Sequence, residues 1–101
     1  MPDSGSALAT ATQQVDNPRT RVTHYGFKPG EATGYHRHEH DYVIVPVTNG
    51  TLKIVAKDKS ETLFELQPGQ SYFRNAGVEH DVVNASAHDI AFVEIEFMAD
   101  R

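Results

Sequence analysis

Four histidines are the residues with the clearest capacity for chemistry in this chain of 101 residues. His36, His38 and His40 alternate along one short segment, and His80 lies in a later one. Side chains two apart on an extended strand point to the same face, so a strand here places the imidazoles of His36 and His38 side by side. Three neutral imidazoles can hold a divalent metal and leave positions open for water or substrate. The pattern therefore indicates a metal site formed by His36, His38 and His80.

A histidine run alone can also be a solvated loop or an adventitious metal binder. Here both histidine segments lie in a frame of glycines and asparagines with fixed spacing. The frame consists of Gly30, His36, His38 and Gly50 in the first segment, and of Gly69, Asn75, Gly77, His80 and Asn84 in the second. This arrangement resembles the two motifs of the cupin superfamily, in their usual order. Over roughly residues 18–97 the chain is similar to small single-domain cupins, some of which are linked to β-alanine degradation.

The resemblance implies an all-β fold, the double-stranded β-helix or jelly-roll cupin barrel, with the histidines facing its interior. It also exposes a departure, because the glutamate ligand that the family supplies shortly after the second histidine is replaced by Tyr42 and Val43. His40 and Tyr42 have the parity to take its place, either as a fourth ligand or as a neighbour of the metal. Tyr42 is therefore a candidate catalytic residue whose hydroxyl orients substrate. In the alternative interpretation, Tyr42 is an ordinary aromatic residue that fills the barrel.

Three neutral ligands leave the 2+ charge of a metal uncompensated, which favours an anionic, chelating substrate. Among cupins, three-histidine sites are similar to those of thiol and β-diketone dioxygenases, which use Fe2+. We therefore expect a metal-dependent, dioxygenase-like enzyme acting on a small anionic metabolite, with Fe2+ preferred and Mn, Ni, Cu or Zn as alternatives. The competing hypothesis is a non-catalytic module that binds a small molecule or assists another protein. Arg74 is either a clamp for a substrate carboxylate or a solvated surface residue.

Many short β-branched segments separated by turns are typical of a sandwich or barrel. The predicted strands are Arg21–Phe27, Tyr42–Thr48, Thr51–Ala56, Glu61–Leu66, Ser71–Arg74, Glu79–Asn84 and Ile90–Met98. Asn49-Gly50 predicts a two-residue hairpin. Residues 1–18 are predicted to be a flexible N-terminal arm, either disordered or exchanged with a neighbouring subunit. Residues 19–101 are predicted to form a single cupin domain.

The last predicted strand carries apolar residues on both faces. We expect Ala91, Val93, Ile95 and Phe97 to face the core and the two glutamates, Glu94 and Glu96, to face water. Ile90 and Phe92 then form an outer apolar patch, which together with the resemblance favours a homodimer.

Composition excludes several classes of protein. The net charge of −5 comes without a long basic run, so neither nucleic acid nor an anionic membrane is an expected partner. The absence of cysteine excludes disulfides and thiolate ligands. No segment has the pattern of a signal peptide or the length of a membrane span, so we expect a cytoplasmic protein with a small-molecule ligand.

Overall fold

The computed structural model describes residues 7–98, which form nine β-strands and no helix. The strands are β1 (Thr10–Asp16), β2 (Thr20–Phe27), β3 (His36–Arg37), β4 (Tyr42–Pro46), β5 (Gly50–Ala56), β6 (Glu61–Leu66), β7 (Tyr72–Arg74), β8 (Glu79–Asn84) and β9 (Ile90–Phe97). The predicted all-β class is confirmed. No helix in this part of the chain could cross a membrane.

The strands form two sheets that enclose one core. The five-stranded sheet has the order β1-β2-β9-β4-β7, and the four-stranded sheet has the order β3-β8-β5-β6. Side chains from both sheets, among them Phe27, Leu52, Leu66 and Ile90, are at most 2% exposed and fill the space between them. Because β7, β8 and β9 alternate between the sheets, the architecture is the double-stranded β-helix that the resemblance implied.

The predicted hairpin at Asn49-Gly50 is wrong, since β4 and β5 belong to different sheets. Gly50 is required there by crowding rather than by a hairpin turn. A Cβ atom added to it would lie 2.3 Å from Cγ2 of Ile90 and 3.0 Å from Oγ of Ser86. A backbone can pass this closely only where a side chain is missing. The connection therefore carries the chain from one sheet to the other.

The predicted orientation of β9 is also wrong. Ile90, Phe92 and Glu94 are 2%, 4% and 7% exposed and face the interior, so no outer patch of Ile90 and Phe92 exists. The ring of Phe92 packs between those of Phe27 and Tyr25, with centroids 5.4 and 5.5 Å away. Both faces of β9 carry apolar side chains, and the face with Ile90 and Phe92 is the one that packs in the core. Glu94 is carried inward by this register.

Part of the predicted N-terminal arm is an edge strand. Thr10–Asp16 forms β1, which pairs antiparallel with β2 although every residue of β1 is exposed. Residues 1–6 lie outside the described part of the chain. The division into an arm at 1–18 and a domain at 19–101 stays a prediction.

Candidate metal centre

Three of the four predicted histidines come together at one end of the barrel. His36 on β3 lies directly opposite His80 on β8 in an antiparallel pair, and His38 follows two residues after His36. The Nε2 atom of His38 lies 2.9 Å from that of His36 and 3.1 Å from that of His80. The ligating nitrogens of all three lie within 4.8 Å of one another. The spacing of the histidines in the sequence thus produces one compact cluster.

A backbone carbonyl orients the imidazole of His36. Nδ1 of His36 donates to the carbonyl oxygen of Gly34 at 2.8 Å. Since a carbonyl can only accept, Nδ1 carries the proton and Nε2 keeps a free lone pair. Gly34 has φ of +89°, a left-handed conformation that favours glycine, and its N–H donates to Oδ1 of Asp81 at 3.1 Å. The turn before β3 therefore prepares His36 to act as a ligand.

Tyr42 orients the second histidine. Its ring stacks on that of His38, with the centroids 3.9 Å apart and the planes at 19°. Both residues are buried, and among residues 7–98 the Tyr42 hydroxyl has no hydrogen-bond partner while the side chain lines the pocket. Burial raises the pKa of Tyr42 above its usual range, and the nearby Glu94 raises it further. The ring therefore has a positioning contact, and the hydroxyl is left available to a ligand.

Two of the histidines, His38 and His80, are electrostatically prepared to stay neutral. Burial, together with smaller contributions from His36 and His80, lowers the pKa of His38 to about 3. Burial and His36 lower the pKa of His80 to about 4, although Asp81 acts in the opposite direction. Neutral imidazole is the form that binds a metal, so protons do not compete for these two side chains near neutral pH.

The cluster fits a divalent metal ion. Two nitrogens bound at right angles to an ion about 2.1 Å away lie roughly 3 Å apart, which is the separation of these Nε2 atoms. Imidazole nitrogen suits zinc, copper, iron and nickel. Among the described residues no carboxylate joins the cluster. His36, His38 and His80 would therefore hold the ion on one side and leave its other side to water or substrate.

His40 does not join the cluster. It is half-buried and lines an outer depression beside Arg37 and Glu39, at the mouth of the site. Its predicted role as a ligand stays a prediction without geometric support from the described residues.

A pocket of about 260 Å³ opens from the histidine cluster into the barrel. Its lining includes Phe64, Tyr72 and Arg74 from β6 and β7. The guanidinium of Arg74 lies 4.6 Å from the centroid of the Tyr72 ring, and Nη1 of Arg74 donates to the carbonyl oxygen of Phe73 at 3.1 Å. Arg74 is exposed, so it stands at the rim, where it can meet an anionic group that enters.

Glu94 is the pocket residue that the sequence interpretation missed. It lies between Thr23 of β2 and Ile44 of β4 in the sheet and lines the same pocket as the three histidines. Burial, together with a smaller contribution from the charge of Glu96, raises the pKa of Glu94 to about 7. Its shared parity with Ile90 and Phe92 was the signal that would have placed it inside.

Asn84, a member of the glycine and asparagine frame, has a structural role. It braces the end of β8, because its Nδ2 donates to the carbonyl oxygens of Phe27 and His88 at 3.2 and 2.9 Å. His24 and His88 lie outside the cluster.

Comparison with known proteins agrees with this geometry. Residues 23–96 match the family model described as Cupin domain. The chain is 53% identical over 93 residues to the β-alanine degradation protein BauB of Pseudomonas aeruginosa, covering 92% of this chain and 97% of that protein.

Solved structures give the same result. A cupin domain from Bordetella pertussis superposes with a TM-score of 0.88 at 45% identity, covering 92% of this chain and 96% of that one. The polyketide cyclase RemF of Streptomyces resistomycificus superposes with a TM-score of 0.73 at 20% identity, over 98% of this chain and 71% of that one, and shows the fold alone. With its two sheets, its histidine cluster and these matches, the chain belongs to the cupin family.

Proposed function

We propose that this cupin is a metal-dependent, dioxygenase-like enzyme that acts on a small anionic metabolite and uses Fe2+ as its preferred metal. The observation that carries the proposal is the histidine cluster itself, with three Nε2 atoms converging on a pocket of about 260 Å³. A divalent metal held there supplies Lewis acidity, and iron adds redox chemistry with oxygen.

The side chains of the pocket have separable roles in this proposal. His36, His38 and His80 hold the metal, and because all three are neutral they leave its charge to attract an anion. Arg74 at the rim offers a second positive charge to the same anion. The Tyr42 hydroxyl, unpaired among the described residues, hydrogen-bonds to the bound substrate and orients it.

The size of the pocket limits the substrate. A volume of about 260 Å³ is at the small end for ligand sites, which suits a compact metabolite. The name of the Pseudomonas aeruginosa relative points to the metabolism of β-alanine, so β-amino acids and their degradation products belong in the first substrate panel.

Metal analysis of protein purified without a His-tag tests the site. We expect about one equivalent of divalent metal in the wild type, and its loss in His36→Ala and His80→Ala. His88→Ala is the matched control, because His88 lies outside the cluster, and it should keep its metal. If the wild type binds no metal after loading with iron, manganese, nickel, copper or zinc, the proposed function is wrong.

Oxygen consumption tests the reaction. We expect the iron-loaded protein to consume oxygen with at least one member of a panel of thiols, diketones and β-amino acids, and His36→Ala to abolish this. Stoichiometric metal and ligand binding without oxygen consumption would contradict the enzymatic proposal and support the non-catalytic binding module.

We also propose that the protein is a homodimer, now on the basis of a different surface. A row of apolar side chains crosses the outer face of the five-stranded sheet in register, formed by Val15, Val22, Ile95, Val43 and Phe73. Val15 and Phe73 are 41% and 50% exposed. Light scattering coupled to size exclusion should show a dimer that Val43→Lys converts to a monomer, and a monomeric wild type would contradict this.

A further inference from the structure

The carboxyl group of Glu94 lacks a protein partner where one is expected. Glu94 is only 7% exposed, yet among residues 7–98 it makes no hydrogen bond and no ion pair. Glu96, two residues later on the same strand, has its Oε1 atom 3.7 Å from Nη1 of Arg21. The carboxylate oxygens of Glu94 are not among the fully buried unpaired atoms and are therefore open to the pocket that Glu94 lines. Largely buried ionisable groups of this kind concentrate where proteins bind or transform ligands. Glu94 is thus left to a partner that enters the pocket.

The surroundings of Glu94 favour a cation over an anion. Tyr25, Tyr42 and Tyr72 line the same pocket, and the charge of Glu94 raises the pKa of each of their hydroxyls, which places the carboxyl group among them. The faces of aromatic rings carry negative potential and attract ammonium groups. A carboxylate surrounded by aromatic rings therefore favours the binding of an alkylammonium group.

The histidines of the same pocket have the reverse preference. We call His36, His38 and His80 the histidine wall, and Tyr25, Tyr42, Tyr72 and Glu94 the carboxyl wall. The histidine wall presents neutral ligands to a cationic metal, and Arg74 stands at the rim. The pocket thus offers one group of side chains for an anion and another for a cation, within a volume of about 260 Å³.

We propose that Glu94 binds the ammonium group of a small amphoteric substrate whose anionic end reaches the histidine wall. The substrate class is that of short amino acids whose amine and acid groups stand at opposite ends of the chain. This inference rests on the proposed function, because the anionic end requires the metal.

Calorimetric titration of protein loaded with zinc tests the inference without turnover. The probes are matched pairs, 3-aminopropanoate with propanoate and 4-aminobutanoate with butanoate. We expect the wild type to bind the amino member of at least one pair more tightly. Glu94→Gln should weaken that binding by about tenfold to a hundredfold, since it removes a hydrogen bond between charged groups, and should change alkanoate binding less than twofold.

The experiment uses three variants. Glu94→Gln is close in size to the wild type and should keep its metal, which metal analysis verifies. Glu65→Gln removes an exposed carboxylate on β6 outside the pocket and should leave both affinities unchanged. Glu94→Asp keeps the charge and should retain part of the preference for the amine.

Three results would overturn the inference while the metal site stands. The first is that the wild type binds both members of each pair equally well. The second is that Glu94→Gln loses affinity for both members equally. The third is that Glu94→Gln keeps both affinities but loses turnover, which would make Glu94 a proton donor or acceptor. Failure of the wild type to bind zinc would instead contradict the proposed function.

Discussion

The histidine wall and the carboxyl wall line one pocket, yet they are supported in different ways. Two members of the histidine wall are oriented by contacts within the protein, His36 by the Gly34 carbonyl and His38 by the Tyr42 ring. The carboxyl wall holds Glu94 without a hydrogen bond or ion pair from the described residues. The first wall is thus preorganised before its ion arrives, whereas the second keeps a carboxyl group without a protein partner, which a ligand or a proton can neutralise.

The largest expected effect comes from metal binding to the histidine wall. Metal present at about a hundredfold over its dissociation constant should stabilise the wild type by about 2.7 kcal/mol. For a domain of this size the unfolding midpoint should rise by roughly 10 to 20 °C. Differential scanning calorimetry with and without metal measures the shift. His38→Ala should abolish it, because two imidazoles alone hold the ion weakly.

Glu94→Gln separates the two walls in the same experiment. It should keep the full metal-dependent shift, since Glu94 is absent from the histidine cluster. His24→Ala, on the outer face of β2, should also keep it. A loss of the shift in Glu94→Gln would mean that the walls are not independent and that Glu94 supports the metal.

The next largest effect is the pH dependence of the metal-free protein. The pKa of Glu94 is raised from its usual value near 4.5 to about 7, so the folded state holds this proton more tightly than the unfolded state. Its contribution to stability is fully present below about pH 4.5 and is lost as the pH rises through 7. The loss is roughly 2 to 3 kcal/mol, and Glu94→Gln should remove it.

The contribution of the histidine wall to folding stability changes with pH in the opposite direction. The pKa values of His38 and His80 lie at about 3 and about 4 when folded, below the usual 6.5. Their contribution to the stability of the folded state is present above about pH 6.5 and is lost as the pH falls toward 4. Urea unfolding from pH 4 to 8 should therefore show a steeper rise up to pH 6.5 in Glu94→Gln than in the wild type. Glu65→Gln should retain the wild-type curve, and a Glu94→Gln curve identical to it would show that Glu94 titrates normally.

The two walls also differ in how far sequence could predict them. The alternation of His36 and His38 predicted that their imidazoles lie side by side, because that depends on strand geometry alone. The glycine frame around His80 carried the family resemblance, and the resemblance implied the barrel. Glu94 was predicted to face solvent, since a glutamate on a strand ordinarily does. The face of β9 that carries Glu94 also carries Ile90 and Phe92, and these two residues pack in the core in place of Val93 and Ile95. Which face packs inward depends on contacts with β2, and the sequence alone does not show these contacts.

The smallest effect on stability is expected from removing the hydroxyl of Tyr42, the residue at which the two walls meet. Its ring stacks on His38, whereas its hydroxyl has no partner among the described residues and lies close to the charge of Glu94. Tyr42→Phe keeps the stacked ring, so stability should change by less than about 1 kcal/mol and metal content should not change. Tyr42→Ala removes the ring and should cost about 3 to 5 kcal/mol.

Turnover should separate the two roles of Tyr42. If its hydroxyl orients the substrate, Tyr42→Phe should lower kcat at least about tenfold while the metal stays bound, because a positioned hydroxyl acts on the reacting molecule and not on the fold. Tyr35→Phe, which removes an exposed hydroxyl bonded to Glu79 outside the pocket, is the matched control and should leave kcat unchanged. An unchanged kcat in Tyr42→Phe would reduce Tyr42 to a support for His38 and leave the chemistry of the carboxyl wall to Glu94 alone.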